Sequence, residues 1–219
     1  MKRKLFILLF CAASFIYGSE TDKKESSGSK WDCEIYAAPV YKSKEVKSKY
    51  KDISFNNFGV EFGVETVNKI SNKVYKANVD ICKANSNLKN LANENFTGAS
   101  YSLNLGFGYN FKMSQKTNLS LLGIYELNYI HIRCPVFYIS SEKYLQEISI
   151  IENDVGLNLN YRLNLNSKLS LFNSFSILYG LGGMLSLSDD SAGYYTNYLW
   201  DCKKGGLEFN CALGLAYYF

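Results

Sequence analysis

A single histidine, His131, and an arginine two residues on, Arg133, are the first places to look for proton chemistry in this chain of 219 residues. Imidazole is the side chain whose ordinary pKa suits acid and base work near neutrality. The pair also suits contact with a phosphate, and that is the plainer role for both. Six cysteines form a second set. Cys82, Cys134 and Cys202 are the candidates for one disulfide, whereas the spacing contains no CxxC and gives no zinc site. A third set is ionic: Glu61, Glu65, Glu126, Asp154, Glu208 and Arg162. Buried carboxylates need a partner, and Arg162 is the expected partner of two or more of these acids.

Positioning those groups falls to segments that alternate with a period of two. In "NFGVEFGVE", Phe58, Val60, Phe62 and Val64 interleave with Gly59, Glu61, Gly63 and Glu65. A helix would scatter these residues around its circumference, whereas a strand puts all the apolar ones on one face. "TGASYSLNLGFGYNF" repeats the device, with Tyr101, Leu103, Leu105, Phe107, Tyr109 and Phe111 on one side. "VGLNLNYRLNL" does so again with Val155, Leu157, Leu159, Tyr161 and Leu163. The spacing predicts strands near 33–41, 53–67, 73–82, 97–112, 118–133, 148–166, 169–184 and 205–219. The third alternates least clearly and competes with a loop. Turns after Phe111 and Leu165 are short, while the stretches before Thr97, after Arg133 and after Met184 are long and polar.

The composition tells which solvent the apolar faces meet. Tyrosine (18) and phenylalanine (14) are abundant, yet charged residues make up 20% of the chain, and mean hydropathy is only −0.14. Alternating strands with one face in oil and the other among polar neighbours give this combination. The opening "MKRKLFILLFCAASFIYG" reads as a secretory signal over residues 1–18, too short for a membrane span. Phe10 before Cys11 argues against lipid attachment there. Cleavage leaves 21 basic against 20 acidic residues, so the formal charge falls from +4 to +1, and nucleic acid is not an expected partner. Residues 19–30, "SETDKKESSGSK", read as a flexible leader. Residues 31–219 read as one all-β unit, an up-and-down antiparallel barrel of eight strands spanning a membrane.

The closing "LGLAYYF", with Leu213, Leu215, Tyr217 and Phe219 in step, resembles the C-terminal signal of outer-membrane proteins. The chain as a whole resembles the small eight-stranded OmpA, OmpX, OmpW and opacity-protein group. The resemblance implies an integral outer-membrane location, export through the periplasm, recognition by the barrel-assembly machinery and contact with lipopolysaccharide. Outer-membrane lipid A deacylases set a serine two residues after a lipid-facing histidine. Arg133 stands at that position, so His131 and Arg133 are expected to touch lipid phosphates and no enzyme activity is expected. The lysine run "KSKEVKSKYK" falls in the expected first loop, where it would be a solvated face or grip anionic lipid or a host glycan. Inward Leu122, Ile124 and Phe172, and separately Ile130, Leu178 and Met184, suggest either core filling or an OmpW-like conduit. The leading expectation is a structural or interaction barrel whose surface loops meet a host or surface ligand, ahead of a narrow conduit for small solutes and a lipid-modifying enzyme. No cofactor is expected.

Overall fold

The computed structural model describes residues 30–48, 52–89, 93–134, 137–139, 142–191 and 194–218. Its strands are β1 (Trp31–Val46), β2 (Ile53–Asn68), β3 (Lys73–Lys89), β4 (Asn95–Lys112), β5 (Thr117–Arg133), β6 (Phe137–Ile139), β7 (Glu142–Asn164), β8 (Leu169–Ser191), β9 (Tyr194–Cys202) and β10 (Leu207–Tyr218). Antiparallel pairing runs β1, β2, β3, β4, β5, β7, β8, β10 and returns to β1, so eight staves close a ring and no backbone edge is left along its wall. β9 and β10 lie end to end along β8, joined through Gly205 and Gly206, both at positive φ. The third stave is a full strand. Its outer face of Tyr75, Ala77, Val79 and Ile81 alternates with inward Lys76, Asn78 and Asp80, and only the inward lysine and aspartate obscure the period.

The two ends of the ring differ. At one, Asx-type turns close the staves: Asn68 Oδ1 accepts from the Ile70 and Ser71 amides, and Asn166 Oδ1 accepts from those of Lys168 and Leu169. Side-chain acceptors of this kind fix a tight turn cheaply. At the other end, the long polar loops expected before Thr97, after Arg133 and after Met184 are mostly paired strand. β3 continues to Lys89, β7 begins at Glu142, and β8 and β9 pair as a ribbon from Gly183 opposite Cys202 to Ser191 opposite Tyr194. Alternating β-branched and polar residues such as "EISIIEN" extend the ladder where polarity alone suggested a loop. At about 3.3 Å per residue, the 23 residues of β7 exceed what a tilted crossing of the hydrocarbon needs, roughly 9–11 residues.

One irregularity changes which side chains face in. Asn153 pairs with Gly182 but Asp154 pairs with Gly180, so β8 carries an extra residue at Leu181. Beyond this bulge the parity flips: Met184, expected inward, is exposed on the outer wall, and Leu185 is buried in its place. Gly182 sits at φ +108°, and a Cβ there would come 2.9 Å from the Cys202 carbonyl oxygen. Gly182→Ala is expected to destabilise the barrel by about 1–3 kcal/mol. Unfolding in urea against the wild type checks this, and an unchanged midpoint would count against a strained bulge.

Candidate functional site: the filled lumen and the outer wall

Inward parity brings twelve ionisable side chains into the barrel, all buried: Lys42, Lys44, Lys76 and Arg162 with Glu34, Glu61, Glu65, Asp80, Glu126, Glu152, Asp154 and Glu208. β1 supplies the two central cations. Lys42 Nζ lies 2.7 Å from Asp80 Oδ2, 2.8 Å from Glu126 Oε2 and 3.4 Å from Glu208 Oε1, and donates to Ser102 Oγ at 2.9 Å. Lys44 Nζ pairs with Asp154, with Glu208 Oε2 at 2.8 Å and with Glu152 Oε2 at 3.2 Å. Neutral amides complete the acceptors: Asn104 and Asn78 donate to Asp80, and Asn128 donates to Glu126. Oxygens of Glu126, Asp154 and Glu208 fall within 4.8 Å of one another, a spacing a metal could use, but Lys42 and Lys44 already bring their ammonium groups to these carboxylates.

Arg162 lies apart from that cluster. Its Nη1 donates to Glu65 Oε1 at 2.6 Å, its Nη2 pairs with Glu34, and Asn160 holds the other Glu65 oxygen at 2.9 Å. Of the acids expected around Arg162, only Glu65 is there. Glu126, Asp154 and Glu208 belong to the lysines, and Glu61 accepts from the Tyr36 hydroxyl at 2.8 Å and pairs with Lys76 at 3.2 Å. The difference is one of depth, because parity says which wall a residue faces but not how far along the axis it sits. Lys42 and Lys44 were expected in a solvated loop. They continue the inward series Tyr36, Ala38 and Val40 without a break, and that phase was the signal that could have found them.

Apolar side chains fill much of the remaining interior, beside neutral polar ones such as Asn57, Ser100, Asn158 and Ser174. At the ribbon end Val46, Ile53, Phe55, Phe96, Ile130, Ile132, Ile148, Ile150 and Leu185 form one buried cluster with Cys134 and Cys202. Tyr36, Val40, Cys82 and Phe172 belong to a second cluster, and Leu122, Ile124 and Leu178 to a third. Among the ion pairs, a cavity lined by Glu61, Lys76, Asp80 and Asn104 measures about 10 Å³, room for roughly one water. The expected disulfide is not formed: Cys82, Cys134 and Cys202 are inward core residues, and Cys82 packs in a different cluster from the other two.

On the outer wall Leu213, Leu215 and Tyr217 are exposed in one row; Phe219, the fourth residue of that expected assembly signal, lies outside the described residues, as do the expected secretory signal over 1–18 and residues 19–29 of the expected flexible leader. Tyr101, Tyr109, Tyr129, Tyr161 and Tyr179 are exposed outward too. His131 and Arg133 face outward from β5, and His131 Nδ1 lies 3.0 Å from Ser149 Oγ. Above the ring, Lys47 donates to Asp52 at 2.7 Å, and this hydrogen bond holds the Asp52 carboxyl below the usual carboxylate range.

The closed antiparallel ring has a counterpart among solved structures. A major outer membrane protein from Thermus thermophilus superposes with a TM-score of 0.60 over 84% of this chain and 99% of that chain, at 12% identity. The fold is that of the small outer-membrane β-barrel proteins. OprG from Pseudomonas aeruginosa aligns with a TM-score of 0.53 over 86% of this chain and 95% of its own, at 11% identity. No protein-family model matches the sequence, and no curated protein does. At these identities the likeness reports architecture, so the chemistry of this barrel is read from its own residues.

Proposed function

We propose that this chain is an integral outer-membrane barrel with a sealed lumen, which holds a rigid β-ribbon platform at the cell surface in a structural or interaction role. The observation that carries the reading is the filled interior, where Lys42 and Lys44 bind carboxylates of β3, β5, β7 and β10 beneath an apolar plug. An eight-stave barrel is just wide enough for its own side chains, and this one has salt-bridged and aliphatic layers in series along its axis. The outer belt supports the location. Leu103, Leu105, Phe107, Leu121, Leu127, Leu157, Leu159, Leu171, Ile177 and Leu213 are all exposed on the wall, which is untenable in water and suited to acyl chains. With the tight turns on the periplasmic side, the ribbon end lies outside. There the ribbons meet lipopolysaccharide and any host or surface ligand. Insertion through the barrel-assembly machinery belongs to the same reading.

The residues that suggested a conduit, Leu122, Ile124, Phe172, Ile130 and Leu178, are buried against one another or their neighbours and leave no apolar channel along the described lumen. Purified protein reconstituted into planar bilayers is therefore expected to give no unitary conductance steps and no uptake of hydrophobic dye into vesicles. Reproducible steps, or dye entry above protein-free vesicles, would establish a conduit and overturn the sealed-lumen reading.

A further inference from the structure

The outer wall of β3, β4 and β5 carries a group of cations at one level. Strand register places Lys83 opposite Ala99, and Ala99 opposite His131. One step nearer the ribbon end, Asn85 faces Thr97 and Thr97 faces Arg133. Lys83, His131 and Arg133 therefore surround a shallow floor made by Ala99, with Thr97 beside it. Adjacent strands are about 4.8 Å apart, so Lys83 and His131, two strands apart, are near enough for both arms to reach one anion over that floor. Among the outward residues of these strands, from Ile81 to Asn85, Thr97 to Tyr101 and Tyr129 to Arg133, there is no carboxylate. Glu147, opposite Arg133 on β7, is the first.

The level of this group along the axis is set from below. Tyr101 and Tyr129 stack directly under it, with ring centroids 6.4 Å apart and planes 20° from parallel. Ile81 and Ile151 flank them in the same row and are exposed on the wall. Paired tyrosines mark the boundary where rings lie in hydrocarbon and hydroxyls reach head groups, so the cations stand at the height of the lipid phosphates. The hydrogen-bonding contact with Ser149 Oγ uses His131 Nδ1 and leaves Nε2 on the same ring for a ligand.

We propose that Lys83, His131 and Arg133 form a seat for the phosphate of an outer-leaflet lipid head group, with the stacked tyrosines bearing on its acyl chain. This rests on the membrane reading above. Charge-assisted hydrogen bonds from lysine and arginine to phosphate oxygens supply the affinity, and the stacked tyrosines beneath select a phosphate that carries an acyl chain.

The test uses the whole mature barrel in micelles, titrated with bisphosphorylated lipid A, with the same lipid A dephosphorylated, and with inorganic phosphate. The wild type is expected to prefer the phosphorylated lipid by about tenfold, and inorganic phosphate at equal concentration is expected not to displace it. Lys83→Ala with Arg133→Ala should abolish that preference, while Lys112→Ala, a cation at the opposite end of the wall, should keep it. Equal affinity for the two lipids, a preference that survives the double substitution, or displacement by inorganic phosphate each overturns the seat. Heat-modifiable gel migration reads the barrel separately: its absence in the wild type overturns the membrane reading and the seat with it, whereas its presence with equal lipid affinities overturns the seat alone.

Discussion

Lys44→Met should destabilise the barrel by about 3–5 kcal/mol, whereas Glu152→Gln should stay within about 1 kcal/mol of the wild type. The asymmetry follows from the count of charges inside. Eight carboxylates share four cations among the described residues, so each cation serves several acids while an acid is one of several around its cation. Removing Lys44 takes from Asp154 and Glu152 the ammonium group paired with them, and leaves Glu208 with Lys42 at 3.4 Å. A buried carboxylate stripped of its cation has neither water nor an opposite charge to stabilise it. Neutralising Glu152 removes a contact of 3.2 Å and leaves Lys44 its two closer partners. Urea unfolding in lipid vesicles measures both variants, and a Lys44→Met midpoint equal to wild type would refute a cation-limited core.

Phe55→Ala should cost about 3–5 kcal/mol, with the damage confined to the ribbon end. Phe55 is 0% exposed in the cluster that fills this end, and shares that packed set with Val46, Ile53, Phe96 and Ile132. A membrane span needs no core of that kind, because acyl chains hold its outer wall. A sheet that rises into water has only its interior to hold it together. Truncating the ring removes one of the largest apolar side chains of that cluster and loosens β7, β8 and β9 beyond the membrane, while the lysine and arginine networks stay bound. Limited proteolysis should then cut within residues 142–150 of β7 and 185–191 of β8 far faster than in wild type, with the membrane-embedded fragment intact. Cleavage spread evenly along the chain would show instead that the barrel unfolds as one unit.

How much of this was legible in the sequence differs between the two faces of the wall. Lipid imposes one chemistry on every outward position, so Leu103, Leu105, Phe107 and their counterparts announce both strand and facing through a period of two. The inside imposes no single chemistry, since a cation, an amide or an aliphatic residue can each fill a site there. Arg162 and Glu65 have matching parity, yet so do Asp154 and Glu208, and only the stagger of the closed ring decides that the former pair meet. Lys42 and Lys44 were hidden by composition, because five lysines within ten residues look like a solvated loop although two of them keep the phase of β1. Met184 was misplaced by a single extra residue at Leu181, in a "GLGG" stretch whose small residues conceal a change of phase. His131 and Arg133 were visible as outward residues, but Lys83 joins them only through Ala99, on a strand between the two.

The first stave donates both central ammonium groups, and their acids arrive from strands as distant along the chain as residue 208. Until the seam between the first and last staves joins, Lys42 and Lys44 have no complete set of counterions. A half-zipped sheet sliding into hydrocarbon would carry bare charges with it. Sealing the ring as it crosses the bilayer would keep those charges paired throughout, a constraint that comes from the interior rather than the wall.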